Sequence, residues 1–168
     1  ENISEQDFNF SDWIDRCNKT KNSYPLIGPE HNDKDGYINS YKFMNKLSKK
    51  LRDKDVLVTD MGTGLLSGHQ SLELKKGNRL MTSTGLGEMG FGLPGAIGAS
   101  FAKNDREVIC LNCDGGMMMN LQELQTIDHH RLPIKIFIFN NDAYLMIKHA
   151  QKGLFDGRYS GTNKKRDL

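Results

Sequence analysis

Between Cys113 and Asn141 the chain reads Cys113-Asp114-Gly115-Gly116, then an apolar-periodic run, then Ile136-Phe137-Ile138-Phe139-Asn140-Asn141. Glu107 to Asn112, just before this stretch, is strand-like, and so is Ile134 to Phe139. Asp114 and Asn141 stand 27 positions apart. That length holds a helix of about 12 residues, a short loop and a strand of about 6, which is one βαβ step. Such a step makes the two strands parallel neighbours about 4.8 Å apart. It leaves a carboxylate at the end of one strand and a side-chain amide at the end of the next.

The rest of the chain repeats the alternation. Ser40 can cap a helix with Phe43, Met44, Leu47 and Leu51 on one face. Val56 to Thr59 reads as a short buried strand, followed by the loop Asp60-Met61-Gly62-Thr63-Gly64. Arg79 to Thr82 is a weaker strand. Gly85 to Gly90 is a glycine-rich loop that opens a small-residue helix from Phe91 to Ala102. Met117 to about His129 reads as one helix with Leu121, Leu124 and Ile127 on its apolar face, and Ala143 to Ala150 begins another. The strands are apolar runs rather than alternating ones. This predicts an α/β fold, a doubly wound parallel sheet with helices on both faces. In such sheets ligands bind outside the carboxyl ends of the strands, where every loop named above falls.

Residues 1–36 are rich in Asn, Asp, Lys and Glu. Phe10, Trp13 and Ile14 have the spacing of a short amphipathic helix, with Ser11 as its expected cap. We expect 1–36 to be an entry segment from a preceding domain. Residues 37–168 are then one domain, truncated at its C-terminus, because Gly153 to Leu168 adds no closing element. A net charge of +2 gives no reason to expect nucleic acid or a membrane surface as partner. No apolar run reaches the ~18 residues that would cross a bilayer, and the polar N-terminus is no signal peptide. Three cysteines, an odd number, are expected to be free thiols in a reducing, cytoplasmic setting.

Alone, Asp114-Gly115-Gly116 reads as a helix cap and Asn140-Asn141 as a turn. Together at this spacing they can do more. Mg²⁺ takes oxygen ligands in near-octahedral geometry, one or two of them from protein. Asp114 and Asn141 suit it, and the backbone carbonyl of Ala143 could add a third donor. Gly115 and Gly116 open the next helix with unobstructed N–H groups, where a diphosphate would sit.

These residues resemble the signature of thiamine-diphosphate enzymes, normally Gly-Asp-Gly, some 25 residues, then Asn-Asn. Met118-Met119-Asn120-Leu121-Gln122-Glu123-Leu124 is similar to the acetolactate synthase branch of that family, as is Gly85-Leu86-Gly87-Glu88-Met89-Gly90 with Phe91 to Gly98. The resemblance covers roughly residues 37 to 168. It implies a diphosphate-binding domain with thiamine diphosphate and Mg²⁺ as cofactors. In it Gly62 and Thr63 help hold the diphosphate, the Gly87 carbonyl receives the aminopyrimidine, and Met89 wedges the cofactor into its bent shape. Met146 matches a substrate-pocket methionine. The implied activity is decarboxylation of a small 2-oxo acid and transfer of the resulting acyl carbanion. The alternatives are a decarboxylase or carboligase with another substrate, and a non-catalytic binding module.

The sequence departs from the pattern in three places. Cys113 replaces the leading glycine. Ala150 stands where the acetolactate synthases carry a tryptophan. No catalytic glutamate is present; the family draws it from a pyrimidine-binding domain of a partner subunit, which implies a homodimer or homotetramer. Tyr144, Lys148 and His149 follow the metal loop, and His149 is the one suited to proton transfer. Gly85, Gly87 and Gly90 also fit a dinucleotide motif. Its acidic residue should end the next strand, but Asp105 precedes that strand.

Overall fold

The computed structural model describes residues 9–102 and 107–162. Asp105 and the last six residues lie outside them. Four parallel strands form the sheet: β1 (Val56–Thr59), β2 (Arg79–Met81), β3 (Val108–Cys113) and β4 (Ile134–Phe139), in the order β2-β1-β3-β4. Seven α-helices are described: α1 (Ser11–Ser23), α2 (Ser40–Lys50), α3 (Thr63–Ser71), α4 (Gly92–Ala102), α5 (Asp114–Met119), α6 (Glu123–His129) and α7 (Leu145–Leu154).

Every residue of β1 and β3 is buried, which is why both read as apolar runs. Alternate side chains feed two cores. Val56, Val58, Val108 and Cys110 pack with Leu93, Ala96 and Ala99 of α4 and with Met117 of α5. Leu57, Ile109 and Leu111 pack with Met44 of α2 on the other face, joined by Phe43, Phe137 and Phe139. The Phe43 ring meets Phe137 and Phe139 edge-on, each at 5.3 Å. Helices therefore cover both faces, as expected. The chain steps from β1 to β2 in one direction and returns past β1 to β3. The loops after β1 and β3 consequently diverge and leave a crevice between them, the usual ligand position in this architecture.

Some elements differ from their sequence reading. Asn39, not Ser40, caps α2, its Oδ1 accepting the Tyr41 N–H at 2.9 Å. Asn9 rather than Ser11 serves the start of α1, accepting the Ser11 N–H. No residue of α1 is buried, so its apolar edge is exposed. Helix α3 was not foreseen: only its first two residues, Thr63 and Gly64, were placed, in the loop after β1. Its buried residues include Gly64, Ser67, Gly68 and Ser71, which give no apolar stripe. Ser67 and Ser71 satisfy their hydroxyls on carbonyls one turn back. The helix expected over 117–129 starts at Asp114 and breaks at Asn120 into α5 and α6. Leu121 and Leu124 are partly exposed, while Ile127 does reach the core. No described helix is long and apolar enough to cross a membrane.

Candidate cofactor site

Four segments converge outside the carboxyl ends of β1, β3 and β4. They enclose a cavity of about 220 Å³. Gly62 and Thr63 enter from the β1 loop, Gly87 and Met89 from the loop before α4. Asp114, Gly115 and Gly116 enter from the end of β3. Asn141, Ala143 and Met146 complete the wall from the β4 loop and α7. His149 is not among the lining residues; it lies on an exposed face of α7, as does Ala150.

Asp114 is the hub of this arrangement. Its Oδ1 accepts the Gly115 N–H at 2.8 Å and its Oδ2 accepts the Asn141 N–H at 2.9 Å. The carboxylate thus braces the tips of two neighbouring strands. Each oxygen keeps a further lone pair for another partner. The Asn141 Oδ1 accepts the Ala143 N–H at 3.2 Å, which closes a turn in the β4 loop, and Asp114, Asn141 and Ala143 all line the cavity. The Gly115 N–H, expected to be free, is taken by Asp114 instead.

The glycines are dictated by their neighbours. A side chain at Gly116 would overlap Asp60 Oδ2 outright. One at Gly115 would lie 2.5 Å from the Tyr144 ring and 3.0 Å from Met89 Cε. Met89, on the loop before α4, therefore leans directly over the loop after β3. Gly62 has φ of 104° and Gly87 of 66°, conformations that L side chains rarely adopt. Gly87 donates its N–H to the Ser83 carbonyl at 2.8 Å, and no described group donates to its own carbonyl.

Cys113 is accommodated where a glycine was expected because its neighbours are bare. Its Sγ accepts the Gly64 N–H at 3.3 Å and lies 3.3 Å from where a Gly62 side chain would begin. Burial pushes its thiol up to about 11 and that of Cys110 up to about 12. Neither is a thiolate near neutrality, and the cysteines are unpaired.

One group, Asp60, had no role in the sequence reading. Asp60, fully buried at the end of β1, accepts the N–H groups of Gly90 and Gly92 at 2.8 and 3.1 Å. Burial raises its pKa, opposed by those same N–H groups. A carboxylate soon after the Val56–Val58 apolar run was the available signal. Tyr144 was read as one of three residues able to face substrate, and its ring forms part of the wall over Gly115. Lys148 instead sits 5.7 Å over the Tyr159 ring.

A doubly wound sheet with an acidic residue, a glycine pair and an amide gathered at its switch point defines a nucleotide-like, diphosphate-binding class. Residues 60–168 match the family model of the thiamine pyrophosphate enzyme C-terminal TPP-binding domain. The chain belongs to that family, in its acetolactate synthase-like branch. It is 39% identical over 151 residues to the acetolactate synthase large subunit of Cyanidium caldarium, covering 90% of this chain and 25% of that protein. It is 40% identical over 118 residues to the isozyme 1 large subunit of Escherichia coli K12, covering 70% and 21%. With the isozyme 2 large subunit of the same organism the figures are 33% over 162 residues, 94% and 28%. The chain thus spans about a quarter of the length of these relatives.

Proposed function

We propose that the cavity holds thiamine diphosphate with Mg²⁺, and that the intact protein uses them to decarboxylate a 2-oxo acid and pass the acyl unit to a second carbonyl compound. The observation that carries this reading is the Asp114–Asn141 brace beside Gly115 and Gly116, in one cavity with Gly87 and Met89. When bound, the cofactor supplies the carbon nucleophile and electron sink that decarboxylation needs.

The residues present fit this group. Asp114, the Asn141 amide oxygen and the Ala143 carbonyl are hard oxygen donors, the set Mg²⁺ prefers. Among the described residues no three His, Cys, Asp or Glu side chains gather around a point. A cation held here would have Asp114 as its one carboxylate, beside the Asn141 and Ala143 oxygens, and diphosphate and water would complete its ligands. The backbone of Gly115, Gly116, Gly62 and Thr63 leaves the diphosphate room. The Gly87 carbonyl would receive the cofactor's amino group, and Met89 would support the cofactor from beside it. Met146, which lines the cavity, would contact substrate.

No glutamate lines the cavity among the described residues. We infer that the catalytic carboxylate comes from a pyrimidine-binding domain of a partner subunit, within a homodimer or homotetramer. Exposed Leu86, Met118, Met146 and Ile147 offer apolar surface for such a contact. The unpaired cysteines support a cytoplasmic setting. Ala150 in place of the tryptophan favours a second substrate other than that of acetolactate synthesis.

The test is product analysis. The intact protein is incubated with thiamine diphosphate, Mg²⁺ and pyruvate, with and without a second oxo compound. Cofactor-dependent CO₂ release with a carboligation product supports the reading. Cofactor binding without CO₂ release from any 2-oxo acid in a panel favours a non-catalytic module.

A further inference from the structure

The Gly90 peptide is gripped from both sides by groups outside its own loop. Its N–H is donated to Asp60 Oδ1 at 2.8 Å, from the end of β1. Its carbonyl accepts the Asn120 Nδ2 at 2.6 Å, from the break between α5 and α6. Each contact spans 30 residues of sequence. A side chain at Gly90 would lie 2.7 Å from Asn120 Nδ2 and 2.8 Å from Met119 Cβ, so the peptide is wedged as well as bonded. Asp60 is itself fixed. Its N–H is donated to the Leu111 carbonyl on β3 at 2.9 Å, its Oδ1 also accepts the Gly92 N–H, and its buried Oδ2 abuts Gly116 without a hydrogen-bond partner among the described residues.

Gly90 follows Met89 directly and Gly87 by three positions. Asn120 ends the helix that Asp114, Gly115 and Gly116 begin. We propose that Asp60 and Asn120 are positioning residues that clamp the Gly87–Gly90 loop to the Asp114–Gly116 loop, setting the separation between the aminopyrimidine and diphosphate ends of the site. The proposal rests on the cofactor reading above. Neither side chain lines the cavity, so both act through Gly90. The clamp also explains why the helix breaks at Asn120: the side chain that would point along a continuous helix is held by a distant carbonyl.

The experiment compares two ligands on the intact protein, each with Mg²⁺. Inorganic pyrophosphate engages only the diphosphate end, whereas thiamine diphosphate engages both. Asn120→Ala removes one hydrogen bond and is expected to weaken thiamine diphosphate by about tenfold. Pyrophosphate affinity should stay within about twofold. Asn120→Gln, which keeps the donor, should recover part of the loss. Amide exchange in the ligand-free protein gives a second readout: Gly90–Gly92 should exchange faster in Asn120→Ala while β3 stays protected, which also verifies folding. Equal loss for both ligands, or unchanged thiamine diphosphate affinity with unchanged exchange, overturns the clamp. Wild-type protein that binds neither ligand overturns the cofactor reading itself.

Discussion

The Asp114 carboxylate accepts the backbone N–H of Asn141 at 2.9 Å, so the brace between the two strand tips uses the main chain of Asn141 and not its amide. The two residues should therefore respond differently to truncation. Asn141→Ala keeps the brace, loses the 3.2 Å bond to the Ala143 N–H, and should cost about 0.5–1.5 kcal/mol of stability. Asp114→Ala strips two N–H groups of their acceptor and should cost about 1–3 kcal/mol. Urea denaturation of the two variants checks the ranking.

Gly116 and Gly98 make a second contrast. Gly116→Ala drives a methyl into Asp60 Oδ2 against a close-packed strand end, and a loss of about 3 kcal/mol or failure to fold is expected. Gly98 is exposed on α4 with nothing within 4 Å of an added Cβ. Gly98→Ala should stabilise by roughly 0.5–1 kcal/mol through helix propensity. Thermal melts of both variants measure the difference.

Asp60 predicts a pH dependence of definite sign. Burial raises its folded pKa above the ordinary 3.8, so the unfolded chain loses this proton first as pH rises. Stability from this group is fully present below 3.8 and falls as pH climbs through the raised folded value. Asp33, Glu88 and Glu107 are shifted the opposite way, which makes a single profile ambiguous. The difference between wild type and Asp60→Asn isolates the buried group. Relative to the variant, wild type should lose stability with rising pH above 3.8 in denaturant titrations; a difference flat in pH contradicts the assignment.

The thiols should separate cleanly. Cys17 is exposed, while Cys110 and Cys113 are buried with thiols pushed up to about 12 and about 11. Native protein at neutral pH should take up one equivalent of a thiol-specific alkylating reagent quickly, at Cys17. The other two sites should react only on unfolding, as mass spectrometry of digested protein can show.

Much of this fold is legible in the sequence because strands of a parallel sheet write themselves as apolar runs, most fully in the buried β1 and β3. Val56–Thr59 and Ile134–Phe139 coincide with β1 and β4. The expected Gly62, Thr63, Gly87, Met89, Asp114, Gly115, Gly116, Asn141, Ala143 and Met146 meet in one cavity because every strand end opens to the same side. What was missed depends on long-range contacts or on small polar residues. Helix α3 buries Ser67 and Ser71 where a stripe would need leucines. The break at Asn120 is decided by Gly90, and the importance of Asp60 by Gly90, Gly92 and Gly116. His149 has suitable chemistry, but the turn of α7 carries it away from the cavity.

The central claim is that Asp114 and Asn141 hold a divalent cation together with its diphosphate. It is tested most directly by calorimetric titration of the intact protein with thiamine diphosphate, with and without Mg²⁺, in wild type, Asp114→Asn and Asn141→Ala. Because the diphosphate is held through the cation, thiamine diphosphate should bind wild type only when Mg²⁺ is present. Both variants should bind at least tenfold more weakly, a difference of about 1.4 kcal/mol. Wild-type binding that is equally tight without a divalent cation, or that survives both substitutions unchanged, would contradict the account.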